Sequence, residues 1–380
     1  MSDLSAACEA IEANNPPIKS LEIKCYFCQA TLIIKRAGSS GGSTRFQYCA
    51  LVGAADLWRR LGVAIGNNTS LQTIEAASGA VQSFTVMYEG ILANTSIKRV
   101  NLCFSRTVPM FDIARFAQHN SNLREIVLKS FDAMRSEESL AILNAVQNCS
   151  GLRTLIVSSF DFRTDAETVG NIISACTKVK KLEIEGHGTF PYRPLVSLIE
   201  NPRSALTNFH IKGNLFRARR QIDVNVIAAN EENAAIAASL ARNKKIYKMI
   251  SSSCLIGDMT PFEPLLCDTS SIESIINSNH VLWDLWFAEN KVRNAKELLK
   301  LNKNKDTAQV IRQKIARYYF EGEFDVTPFI QMPVSLIPNV MAMVQRESQE
   351  PGIYYKNVDT YLRSAIFRML KNIPDLRSNE

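Results

Sequence analysis

The sequence predicts an α/β solenoid: helix–strand units stacked side by side, with the strands parallel. Three observations predict it. A six-residue apolar pattern recurs at near-constant spacing, two apolar columns four residues apart precede each copy, and an asparagine column lies between them.

Aligned on Ile97, one phase is occupied by Leu71, Ile97, Leu123, Leu152, Val179, Leu206, Ile246 and Leu282. The steps run from 26 to 29 residues as far as Leu206, then lengthen to 40 and 36. Three positions after this anchor stand Ile74, Val100, Ile126, Leu155, Leu182, Phe209, Met249 and Leu285. Five positions after it stand Ala76, Leu102, Leu128, Val157, Ile184, Ile211, Ser251 and Phe287. The last two columns are two residues apart, so they share one face of a strand. The unit is L-x-x-L-x-L.

Ten residues before the anchor lie Leu61, Met87, Ile113, Ile142, Val169, Val196, Ile236 and Ile272. Six before it lie Ile65, Ile91, Ala117, Val146, Ile173, Glu200, Leu240 and Ile276, with Ile199 beside the exception. A spacing of four puts both columns on one helix face. Polar starts at SEES (136–139), TDAE (164–167) and NEEN (230–233) fit helix N-termini. Three before the anchor come Asn68, Asn94, Asn120, Cys149, Cys176, Arg203, Asn243 and Asn279. An amide there can bond the backbone of a tight helix-to-strand turn. Weaker copies open the chain: Ile18, Leu21 and Ile23 after Asn15, then Phe46, Cys49 and Leu51, where GSSGGST replaces the helix. That makes about ten units.

These columns resemble leucine-rich repeats of the long, ribonuclease-inhibitor-like kind, over roughly 11–290. The resemblance implies a right-handed horseshoe, with parallel strands on the concave face and helices on the convex face. It departs from the pattern in the long units at 207–282 and in the second unit. SSIESIINSNHVL and NKNKDTAQVIRQKI are similar to the ends of leucine-rich-repeat proteins of diatom-type algae, a similarity that implies no activity. Residues 1–290 are therefore expected to form the solenoid and 291–380 a helical C-terminal cap over its last apolar edge.

Composition sets the class. Hydrophobic residues at 46% and charged residues at 21% fit a folded chain rather than a disordered one. No apolar run approaches the ~18 residues of a membrane span. MSDLSAACEAIEANN has neither the basic nor the apolar region of a signal peptide. Nine scattered cysteines then predict reduced thiols and a cytoplasmic or nuclear protein. Asn68, Asn94 and Asn148 begin glycosylation sequons, but the turn column explains Asn68 and Asn94 without a glycan.

No motif predicts catalysis, a cofactor or a metal. CYFC (25–28) lacks further ligands nearby, and core or turn cysteines are the simpler reading. GSSGGST lacks the lysine and spacing of a phosphate loop. His119, His187, His210 and His280 sit in different repeats, without a shared catalytic pattern. FRARRQ (216–221) and the run of Lys and Arg between Lys291 and Arg317, Lys314 included, read as solvated faces or an acidic-partner surface. Aromatic residues are sparse near them, which disfavours nucleic acid.

The expected binding surface is the concave face, where the positions between apolar anchors point outward. The candidate partner-binding residues are Arg99, Asn101, Glu125, Lys181, Glu183, His210, Lys248, Asp284 and Trp286. Val127, Ile156 and Ile250 add apolar rungs. Mixed charge around apolar groups suits a protein partner, and Trp is a frequent hot spot; the competing reading of Trp286 is that the C-terminal cap covers it. The predicted function is a non-catalytic protein-binding scaffold. Alternatives are a small-GTPase regulator, since GTPase-activating proteins for Ran share this fold class, and a substrate-recognition subunit of a ubiquitin ligase. An inhibitor of basic ribonucleases is disfavoured by the net charge of +7.

Overall fold

In the computed structural model, the structure describes residues 2–14, 16–26, 29–37, 43–49, 55–78, 83–104, 112–130, 133–213, 226–252, 260–287 and 295–320. FRARRQ, Leu51 and the tail beyond residue 320 lie outside them, as does most of GSSGGST. The chain divides into two compact units, 1–224 with 250–255, and 225–249 with 256–380.

The first unit opens with α1 (Ser2–Ala13), β1 (Ile18–Tyr26), β2 (Gln29–Arg36) and β3 (Ser43–Cys49). Helix and strand then alternate: α2 (Ala55–Asn67), β4 (Thr73–Ser78), α3 (Ser83–Leu92), β5 (Arg99–Phe104), α4 (Ile113–His119) and β6 (Glu125–Ser130). The alternation continues through α5 (Ser136–Asn148), β7 (Thr154–Asp161), α6 (Ala166–Ala175), β8 (Lys181–His187), α7 (Tyr192–Glu200) and β9 (Asn208–Gly213). Its strands form an open sheet in the order β9-β8-β7-β6-β5-β4-β1-β2-β3. The pairs from β1–β4 to β8–β9 are parallel. Repeating helix–strand units and an open sheet make a solenoid-like architecture.

The second repeat departs from the sequence expectation. β1, β2 and β3 form an antiparallel meander, and β1 pairs directly with β4. Parallel neighbours need a crossover of about a dozen residues or more. The link from Arg36 to Ser43 is too short for one, so the strand can only fold back.

The strand columns pack as predicted. Ile74, Val100, Ile126, Leu155, Leu182 and Phe209 are buried, and so are Leu102, Leu128, Val157, Ile184 and Ile211. Burying each such side chain stabilises the fold by about 1.5–3 kcal/mol relative to exposure. On the helices three positions shift. In α7, Leu195 and Ile199 carry the four-residue spacing instead of Val196 and Glu200. In the second unit Ile275 is buried beside Ile272, and Ile276 is exposed. NEEN lies inside a helix that starts earlier, at Val226, because the long unit adds a turn before it.

The asparagine column is a hydrogen-bond ladder. Asn94 Oδ1 accepts from the N–H groups of Ser96 and Ile97 at 2.8 and 3.0 Å. Its Nδ2 reaches back one repeat to Ile65 O and Asn68 O, both at 2.7 Å. Asn120 and Asn68 repeat the pattern. At the N-terminal end Asn14 takes the role expected of Asn15: Ile18 N–H and the Asn68 amide both donate to its Oδ1. Its φ of 45° is one that Asn tolerates. Cys149 replaces the amide with a thiol that donates to Leu123 O. Arg203 is exposed and does not join; Ser204 is buried there and its Oγ accepts from Leu206 N–H. Each rung satisfies turn groups that would otherwise be buried without partners.

The second unit contains α8 (Val226–Arg242), β10 (Lys248–Ser252, whose last residues are grouped with the first unit), α9 (Phe262–Leu266), α10 (Ile272–Asn277), β11 (Asp284–Phe287), α11 (Ala295–Leu301) and α12 (Thr307–Phe320). Its ladder runs through Asn279, which donates to Leu240 O and Asn243 O. It continues past residue 290: Asn302 donates to Asn279 O and Leu282 O in the same way. The helical stretch after 290 therefore begins with one more rung.

Lys314 of α12 is fully buried, not solvated. Its Nζ donates to Leu266 O at 2.5 Å and Asn279 O at 3.2 Å, and lies 3.0 Å from His280 Nδ1. His280 Nε2 faces Ile276 O at 3.1 Å, so the neutral ring donates there and accepts at Nδ1. Burial, and then the Lys314 charge, hold His280 down at about 4. Burial likewise holds Lys314 down at about 8.

The unfolded chain thus binds a proton on His280 from about pH 6.5 down to about 4, where the folded chain does not. Stability must rise with pH across that window and fall as the pH drops through it. Urea melts between about pH 7 and 4 are expected to show this loss, and His280→Gln is expected to flatten it. An unchanged slope in the variant would refute the assignment.

Candidate partner-binding face

In the first unit the positions two and four after each anchor stand on the sheet face away from the helices. The parallel register sets them side by side: Thr73, Arg99 and Glu125 in one row, and Glu75, Asn101, Val127, Ile156, Glu183 and His210 in the next. Arg99, Asn101, Glu125, Lys181, Glu183 and His210 are all half-buried. Neighbouring strands lie ~4.8 Å apart, so each side chain packs against those on both sides and leaves only its tip to water.

These residues fall into two charge clusters. Arg99 lies between Glu75 and Glu125, at 3.9 and 3.6 Å. Glu183 takes Lys212 Nζ at 2.6 Å and His210 Nδ1 at 3.5 Å, with Lys181 at 4.0 Å. The hydrogen bond from His210 first, and that from Lys212 second, pull the Glu183 carboxyl down to about 2, against the opposing effect of burial. Glu183 is therefore ionised at neutral pH, and the cluster carries a fixed pattern of charge. Lys212 was absent from the sequence expectation. It stands one position beyond the last apolar column, outside the six-residue unit.

Val127 differs from expectation. It is buried, flanked in register by Asn101 and Ile156, and offers no exposed apolar rung. Ile156 remains half-buried.

In the second unit Lys248 and Asp284 form an ion pair at 2.6 Å. Just before them Tyr247 and Trp283 stack at 5.5 Å, and Lys303 lies over the Trp283 ring at 5.7 Å. Trp286 is 50% exposed, and Ile250 is half-buried. Lys248 and Asp284, which the alignment placed in one column, are thus in contact, and Trp286 lies two residues after Asp284 on β11.

The thiols of the turn column are core groups. Cys176 is buried and pushed up to about 12, and burial raises Cys149 as well. The CYFC pair falls outside the described side chains. Among the described residues no group of three or more His, Cys, Asp or Glu is placed to hold a metal ion. Among them, too, no helix is long and apolar enough to cross a membrane.

No family model and no curated protein matches the sequence. One solved chain, from the crystal structure of the Rad7 and Elc1 complex in yeast, is similar at 12% identity, with a TM-score of 0.34. The match covers 65% of this chain and 64% of that one.

Proposed function

We propose that the chain is a leucine-rich-repeat protein of the ribonuclease-inhibitor-like kind, acting as a non-catalytic adaptor that holds a protein partner on the open face of its strands. One observation carries this reading. Successive strands set half-exposed charged side chains beside each other in fixed pairs, at Arg99 with Glu75 and Glu125, at Glu183 with Lys181, and at Lys248 with Asp284. Charges already held in place lose little freedom on binding, which favours a specific partner over many weak ones. Asn101, His210 and the exposed Trp286 are the remaining contacts we assign to the partner.

Affinity capture with the tagged full-length chain tests this. Lys181→Glu, Lys248→Glu and Asp284→Lys are each expected to deplete the captured partner. The exchange Lys248→Asp with Asp284→Lys keeps the ion pair but reverses its direction. It is expected to lose the partner while stability stays within about 1 kcal/mol. Unchanged capture in all four variants would remove the open face from the proposal. Stimulation of GTP hydrolysis by any member of a small-GTPase panel would overturn the non-catalytic reading. A substrate-recognition subunit of a ubiquitin ligase is a narrower form of the same adaptor, and ligase components among the captured proteins would select it.

A further inference from the structure

A different surface of the first unit lies where its strands begin. From Ile18 to Val179 the residue after each anchor is Lys19, then Gln72, then Lys98, Arg124, Arg153 and Lys180, and Thr207 ends the column in this unit. A continuous run of backbone hydrogen bonds ties them together, each N–H donating to the carbonyl of the one before, at 2.8–3.0 Å. Neighbouring strands are ~4.8 Å apart, so five cations line a row of ~24 Å with one neutral gap. All five are exposed, and no carboxylate lies within ion-pair distance of any of them among the described residues. The two positions before each anchor in these repeats hold no Asp or Glu either.

The contrast with the open face is informative. There, every strong charge has its opposite beside it. At the strand starts, like charges stand side by side on adjacent strands, an arrangement that is destabilising in itself. The row is also built. One guanidinium nitrogen of Arg124 donates to Ser121 O and Leu123 O, and one of Arg153 approaches Leu152 O and Lys178 O. Gly151 leaves the space the Arg124 head fills, since a Cβ there would overlap it.

We propose that this row binds an extended acidic segment of a protein, rich in Asp and Glu. A strand rises ~3.4 Å per residue, so the row spans roughly seven residues of such a segment. At these six first-unit positions, and at the two before each of their anchors, no side chain is aromatic, so this row itself offers nothing on which bases would stack; in the second unit the same column holds Tyr247 and Trp283. This surface is separate from the open face and is tested without its partner.

The test is fluorescence anisotropy on the full chain with a labelled oligo-glutamate peptide, at low and at physiological salt, beside a labelled oligouridylate strand. One variant carries Lys98→Gln, Arg124→Gln, Arg153→Gln and Lys180→Gln. A control removes the same charge elsewhere, with Arg59→Gln, Arg115→Gln, Lys129→Gln and Arg193→Gln. The peptide is expected to bind at low salt, weaken as salt rises, and lose about tenfold or more in affinity in the row variant but not in the control. No peptide binding at low salt overturns the proposal, as does equal loss in both variants, which would reduce the effect to net charge. Tighter binding of the strand than of the peptide would assign the row to nucleic acid instead, and overturns it too.

Discussion

Gly90→Ala is expected to destabilise the protein by more than about 3 kcal/mol, although the same change in an isolated helix stabilises by about 1 kcal/mol. The inversion comes from the packing of α2 on α3. Gly62 and Gly66 are one helical turn apart on α2, and Gly90 faces them from α3. A Cβ on Gly90 would overlap the backbone of Gly62 and Val63. One on Gly62 would lie 2.5 Å from Met87 O and 2.9 Å from its Cα. The obstacles are main chain, so no rotamer change relieves them and the helices must separate. Separation would also loosen the neighbouring buried side chains Leu61, Ile65, Met87 and Ile91.

Gly170→Ala in α6 is the control. There an added Cβ meets only the Pro194 ring, at 3.0 Å. Its stability is expected to stay within about 1 kcal/mol of the parent, because the helix-propensity gain offsets a mild contact. Denaturant melts of both variants decide the matter. A Gly90→Ala protein as stable as the Gly170→Ala protein would show that the two helices are not held by backbone contact.

The glycine contact also shows where sequence reading stops. Periodicity located α2 and α3 through their apolar columns, because burial repeats every turn and leaves a regular trace. It says nothing of how near two helices come. Gly62, Gly66 and Gly90 occupy no shared column of the repeat and are silent until the neighbouring helix is in place. The same limit explains the meander: Phe46, Cys49 and Leu51 fit the apolar columns, but β2, which belongs to no column, pairs between β1 and β3. Val127 was counted as exposed because alternation assigns it outward, whereas its neighbours across the sheet decide its burial. Lys314 looked like one more cation on a basic helix, and only the fold brings the Asn279 carbonyl to it. The charge row at the strand starts is the opposite case. Lys98, Arg124, Arg153 and Lys180 stand in the same alignment as the core columns, one position along, so this row is legible in the sequence.

The turn ladder was legible because asparagine fills most of one column, at Asn68, Asn94, Asn120, Asn243 and Asn279, and it carries the second large effect. Asn94→Ala is expected to lose about 3–5 kcal/mol of stability. Asn94 is fully buried. Removing its amide strands the N–H groups of Ser96 and Ile97, and leaves Ile65 O with the Asn68 N–H at 3.2 Å and Asn68 O with Ser96 Oγ at 3.0 Å. Each buried group left without a partner costs about 1–3 kcal/mol, and Ser96 Oγ can recover only part, since it already donates toward Asn68 O and Leu71 O. The chain contains its own intermediate: Cys149 fills the same position with one weak donor, to Leu123 O at 3.5 Å, and its sulfur faces the N–H groups of Gly151 and Leu152. Asn94→Cys is therefore expected to fall between parent and Asn94→Ala in a denaturant melt. If Cys and Ala variants lose equally, the backbone carbonyls reached by Nδ2 carry the ladder, and the acceptor side contributes little. If neither loses more than about 1 kcal/mol, the buried turn satisfies itself in another way and the ladder is not what holds successive repeats together.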